Sequence, residues 1–242
     1  MTANANRKRF YREVTVAPPD GTGGNWRVLL DGRGLRTPAK RELAVPRREL
    51  AEAVAGEWRC QGDTIDPATI PLTRLVNSAI DGVADQQAAV RAAILAYGGS
   101  DLICYLAEAP PALIERQSRR WGEVHAWAKH ALGVELALAV GIMPVEQSPA
   151  VLSQLDAALG DRHPLELAAL HVMTASMGSL LLSLGVLHGR FSPSHAWDLA
   201  HIDEDFQIET WGQDEEAAER RQRRWAEMEA ACCVLSAIRA AT

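Results

Sequence analysis

Residues 41–58 read RELAVPRRELAEAVAGEW, and the pattern of apolar residues changes within them. Before Pro46 the spacing has a period of about two. After it, Leu50, Val54 and Trp58 recur every four residues, the spacing of one helix face. Upstream, FYREVTV (10–16) alternates, PPDGTGG (18–24) is a loop, and WRVLLDG (26–32) runs into Asp31-Gly32, a strong hairpin signal. The glycines of the loop are turn residues, because no Lys-Ser/Thr pair follows them and no strand-to-helix context surrounds them. Downstream, everything reads as helical. Helices are expected from Pro46 to about Gly62, over LTRLVNSAIDGV (72–83), and over 86–97, 112–132, 147–159, 164–188, 192–208 and 214–240. The expected class is α+β, with a small β-rich N-terminal domain over residues 1–46 and a larger α-helical domain over 47–242.

The chain has 242 residues, 48% hydrophobic and 23% charged, enough to bury a sizeable core. Its net charge of −6 is unevenly spread: residues 1–60 carry 12 Lys/Arg against 7 Asp/Glu, leaving 13 against 24 in the remainder. The basic front (Arg7, Lys8, Arg9, Arg12) raises a nucleic-acid reading, which the acidic remainder opposes. The cysteines Cys60, Cys104, Cys232 and Cys233 have no CxxC spacing and read as buried thiols in a reducing compartment. No apolar segment opens the chain, so a secretory signal is not expected. Leu167 to Leu187 lacks Asp, Glu, Lys and Arg over a bilayer-spanning length. It also holds His171, Thr174 and three serines, and its small residues Ala175, Gly178 and Gly185 permit close helix approach, so a buried helix is the better reading.

Chemical signals are sparse. His201 and Glu204 stand at i, i+3 with Asp198 three residues before, the raw material of a metal-carboxylate enzyme, but only one reversed HxxE is present. No GxSxG or nucleophilic cysteine signature occurs. The segment 201–225, HIDEDFQIETWGQDEEAAERRQRRW, runs acid, aromatic, acid, base. Its arginines partly pair with acids four residues earlier. Trp211-Gly212 reads as an exposed turn, and an aromatic in a charged rim is a common interface anchor.

The ordered blocks RFYREV (9–14), LDGRGLRTP (30–38), AVAGEW (53–58) with Gln61, IPLTRLVNSAID (70–81) and FQIETWGQDEEA (206–217) resemble the assembly chaperones of the F1 sector of ATP synthase that bind the α subunit, in their alphaproteobacterial form. The resemblance implies a non-enzymatic chaperone that holds the unassembled α subunit and shields its β-facing surface. It implies no cofactor, no nucleic acid and no membrane insertion, a monomer, and a cytoplasmic location in bacteria, the mitochondrial matrix being that of eukaryotic relatives. It makes Glu215 the first partner-binding candidate, then Asp214, Glu216 and Glu219, with Glu204 and Trp211 secondary. Where mitochondrial relatives carry an aromatic, His-Asp-bearing segment, this chain has EEAAERR. Trp58 and the stretch Leu72 to Ile80 read as structural.

Overall fold

The computed structural model describes residues 7–20, 24–141 and 143–239. It is α+β, with strands mostly in the N-terminal region and helices following. Contacts group Met1–Gln87, His163–Ala169 and Glu229–Thr242 into one compact unit, and Ala88–Arg162 and Leu170–Met228 into another.

In the first unit β1 (Arg7–Lys8) leads to the antiparallel pair β2 (Val14–Ala17) and β3 (Trp26–Leu30), in register Val14↔Leu30. The turn into β4 (Arg33–Gly34) has two residues, Asp31 and Gly32, both at positive φ (47° and 76°), as the right-handed twist of a hairpin favours. Asp31 is held there because its carboxylate accepts the backbone N–H groups of Arg12 (3.0 Å) and Glu13 (2.8 Å). Those bonds, Glu13's first, depress its pKa. β5 (Ala44–Val45) also pairs with β3. The inward residues Val28, Leu30, Leu43 and Val45 are buried. α1 (Arg48–Arg59) lays Leu50, Ala51, Val54, Ala55 and Trp58 over β2 and β3, the i, i+4 face visible in the sequence. β6 (Thr64–Ile65) pairs with β1.

α2 (Pro71–Asp81) has no cap of its own. Glu57, from α1, supplies one. Its carboxylate accepts the N–H groups of Leu72 and Thr73, each at 2.7 Å, and the Thr73 hydroxyl at 2.6 Å. The same hydroxyl oxygen accepts Trp58 Nε1–H at 3.1 Å, and the Trp58 carbonyl accepts the Tyr11 hydroxyl at 2.7 Å. Gln61 completes the junction, donating to the Glu57 carbonyl and to Thr69 Oγ1 and accepting from Asp66 N–H.

The second unit draws on α3 (Gln87–Gly99), β7 (Tyr105–Leu106), α4 (Pro111–Trp127) and β8 (Ala139–Val140), which pairs in parallel with β7. The sequence read as wholly helical after Pro46, but β6, β7 and β8 interrupt it with strands of two residues each. α5 (Pro149–Leu159) starts where the Ser148 hydroxyl accepts Val151 N–H. The helix expected over 164–188 is two: α6 (Pro164–Met177) and α7 (Leu180–Leu187). Gly178, at φ +65°, ends the first in the left-handed conformation that favours glycine, and Ser179 caps the second. At Gly185, a Cβ would overlap the ring of Phe191, so the glycine does permit a close approach. No helix among the described residues is long and apolar enough to cross a membrane.

Asp101 anchors this break. It is fully buried, its carboxylate accepts Leu181 N–H (3.0 Å) and Ile103 N–H (3.3 Å), and Leu102 N–H bonds the Gly178 carbonyl. Burial outweighs these bonds and raises its pKa to about 6. Further on, the helix expected over 192–208 is again two, α8 (Pro193–Ala200), capped by Ser192, and α9 (Ile202–Trp211), with His201 between them. α10 (Glu215–Arg239) ends the described chain. Of the four cysteines only Cys104 is fully buried, Cys232 and Cys233 are half-buried, and Cys60 is exposed, contrary to the expectation of four buried thiols. Cys60 directly follows α1, whose buried face ends at Trp58.

Two outcomes follow. Trp58→Arg removes the Thr73 bond and forces a charge into a site only 8% exposed. It is expected to cost about 4 kcal/mol or more, seen as lost solubility or a collapsed circular dichroism melt; a normally melting variant refutes the structural role. For Asp101, the folded pKa lies above the unfolded value of 3.8. Its stabilising contribution is therefore fully present below that value and lost as pH rises through about 6. Relative to Asp101→Asn, the native chain should lose roughly 2 kcal/mol between about pH 4 and about pH 7 in urea melts, and a pH-independent difference refutes the assignment.

Candidate functional site

The first turn of α9 carries Asp203, Glu204 and Asp205, and each is already engaged. Gln117 Nε2–H donates to Asp203 at 2.6 Å. Arg221 of α10 meets Asp205 at 2.5 Å, and Arg224 meets Glu204 at 3.6 Å. Further along, Arg116 grips Glu209 through both guanidinium nitrogens, at 2.9 and 2.6 Å, which depresses the Glu209 pKa. The acidic face of α9 is thus stitched to α4 and α10.

His201 sits beneath it, 5% exposed. Its Nδ1 is bonded to the Trp197 carbonyl at 2.7 Å, its ring lies 4.1 Å from that of Trp197, and Nε2 is 3.8 Å from Glu204. Burial lowers its pKa, with Arg221 and Arg224 adding to the effect. Asp198 is exposed and does not share this setting. Among the described residues, no three His, Cys, Asp or Glu side chains stand together as a metal cluster.

The corner between α9 and α10 is different. Trp211, the last residue of α9, is 77% exposed. Gly212 (φ +89°) turns the chain, and Asp214 begins α10: its carboxylate accepts Ala217 N–H at 2.7 Å and its carbonyl accepts Ala218 N–H at 3.0 Å, the geometry of an N-cap. Glu216 pairs with Arg220 and Glu219 with Arg223, both at i, i+4 along the solvated face, as the spacing suggested. Glu215 is exposed, and among the described residues its carboxylate has neither an ion pair nor a hydrogen bond.

The six candidates therefore separate. Trp211 and Glu215 are bare, Asp214 is a cap, Glu216 and Glu219 are balanced on the surface, and Glu204 is bound into the α9–α10 seam. The seam itself is absent from the sequence reading. Its signal was present, however: the residues four before Arg221 and Arg224 are Ala217 and Arg220, so neither arginine has an acidic partner at that spacing in its own helix.

Comparison gives the class: residues 8–129 match the family described as ATP12 chaperone protein. The chain belongs to that family. The crystal structure of Atp12 from Paracoccus denitrificans is 42% identical, with a TM-score of 0.87 over 96% of this chain and 99% of that one. The Atu1473 protein of Agrobacterium tumefaciens is 43% identical, with a TM-score of 0.90 over 96% and 86% of the two chains. The mitochondrial protein atp12 of Schizosaccharomyces pombe is 24% identical over 224 residues, 88% of this chain and 76% of that one.

Asp214→Ala, which removes the cap, should lower stability by about 1 kcal/mol in urea unfolding. An unchanged midpoint would show that the α10 start does not depend on it.

Proposed function

We propose that this chaperone serves assembly of the F1 sector of ATP synthase by holding the unassembled α subunit and shielding the surface that later meets the β subunit. On this reading it works as a monomer, by binding and not by chemistry, in the bacterial cytoplasm. The observation that carries it is the pairing, across one turn, of an exposed Trp211 with a carboxylate at Glu215 that has no partner among the described residues. Arginines at the subunit interfaces of nucleotide-binding rings are costly to leave unpaired before the ring closes, and a free carboxylate satisfies one through a charge-assisted bond. The indole adds a rigid apolar anchor. The neighbouring acids Asp214, Glu216 and Glu219 set the sign of the local field, which governs encounter rate and specificity more than affinity.

Glu215→Lys should reduce capture of the F1 α subunit in a pull-down by about tenfold or more, since the change replaces an attraction with a repulsion. Circular dichroism and melting should stay as in the native chain. Full capture by the variant, or loss of helical signal, would each sink the assignment.

A further inference from the structure

The first unit carries a cavity of about 850 Å³ between the turn after β3 and the start of α2. Its walls are apolar, with Phe10, Leu35, Pro38 and Ile70 among them, and Phe10 stands 60% exposed at the mouth. Its polar groups are of two kinds. The hydroxyls of Thr37 and Thr73 are spent, on Asp81 (2.6 Å) and on Glu57 and Trp58 (2.6 and 3.1 Å). Asn77 Oδ1 is buried without a hydrogen-bond partner. That oxygen has almost no accessible surface, so it is a cost to the fold rather than a contact for anything entering the cavity.

The rim is cationic. Arg33 is exposed and, among the described residues, has no acidic partner. Arg36, among the described residues, donates only to the carbonyl of Lys40, at 2.9 Å. Asp31, the one acid lining the cavity among the described residues, accepts the N–H groups of Arg12 and Glu13. Apolar walls and two cations without counter-ions among the described residues are together the complement of an apolar peptide segment with an acidic neighbour: apolar side chains for the walls and a carboxylate for Arg33.

We infer that this cavity is a second client site, taking an extended apolar segment flanked by an acidic residue. The inference rests on the chaperone reading and adds to it a site that recognises unfolded chain, apart from the Trp211–Glu215 corner. Such a site suits a protein whose client has strands or termini that are unpaired before assembly.

The test uses the full chain and fluorescence anisotropy with fluorescein-labelled peptides DGLSVSLSG and KGLSVSLSG. The aspartate peptide should bind about tenfold more tightly than the lysine one. Arg33→Glu should reverse that order, and Phe10→Ser, which leaves the rim charge in place, should weaken both. Equal affinities for both peptides, an order unchanged by Arg33→Glu, or peptide binding that only accompanies dissociation of a dimer of this chain in sedimentation would each overturn it. Glu215→Lys should leave peptide affinity as it is. Loss of peptide binding with α-subunit capture intact therefore refutes the groove alone, and the converse refutes the corner alone.

Discussion

The carboxylate of Glu57 is the point through which the first unit is joined. It sits at the N-terminus of α2, where the helix dipole and two unsatisfied N–H groups favour an anion. Its chain neighbour Trp58 reaches the same Thr73 hydroxyl, so one dipeptide of α1 fixes both the start of α2 and its packing against the sheet-covering helix. The balance of forces is close. Burial raises the Glu57 pKa in spite of three hydrogen bonds that favour the ion, so the charged form is held at a net cost in desolvation. Its contribution is thus largest at low pH and diminishes as pH rises through the raised value. What the ion supplies is geometry: a protonated carboxyl could not accept all three donors equally, and α2 has no other cap.

This network joins four of the five blocks that carried the family resemblance. AVAGEW contributes Glu57 and Trp58, Gln61 closes the loop to Asp66 and Thr69, and IPLTRLVNSAID contributes the α2 start, its apolar face and Asp81. Asp81 in turn accepts the Thr37 hydroxyl and Ala39 N–H, tying in the turn that follows LDGRGLRTP. RFYREV supplies the Tyr11 hydroxyl to the Trp58 carbonyl and two N–H groups to Asp31. These four blocks, all in the first unit, meet in space.

Local physics was legible in the sequence and long-range physics was not. The Asp31-Gly32 turn, the i, i+4 face of α1 and the Ser192-Pro193 start depend on neighbours within a few residues, and all three appear as read. The break at Gly178 was hidden because an apolar run looks the same whether it forms one buried helix or two. What stabilises the break is Asp101, which bonds Leu181 from 80 residues away. The break at His201 is hidden in the same way: His201 anchors its Nδ1 on Trp197, and the surrounding salt links come from α10. Of the site, the exposure of Trp211 was legible from its charged neighbours, but the pairing of Glu204 with Arg224 was not, since it depends on two helices lying side by side.

That seam changes what the acidic stretch can be used for. Read as sequence, 203–219 is a block of anionic charge; folded, most of it is neutralised by Arg116, Arg220, Arg221, Arg223 and Arg224. Where EEAAERR stands, charge downstream of the corner is matched almost residue for residue. A helix N-terminus explains an anion at Glu215 on stability grounds, worth a few tenths of a kcal/mol when exposed. It does not explain the indole one turn earlier, which contributes little to the fold at 77% exposure. A single exposed tryptophan is unremarkable by itself. Set beside Glu215, which among the described residues neither caps a helix nor pairs with an arginine, it puts an apolar ring and a free carboxylate on adjoining turns, and the proposed recognition of a partner rests on that pair.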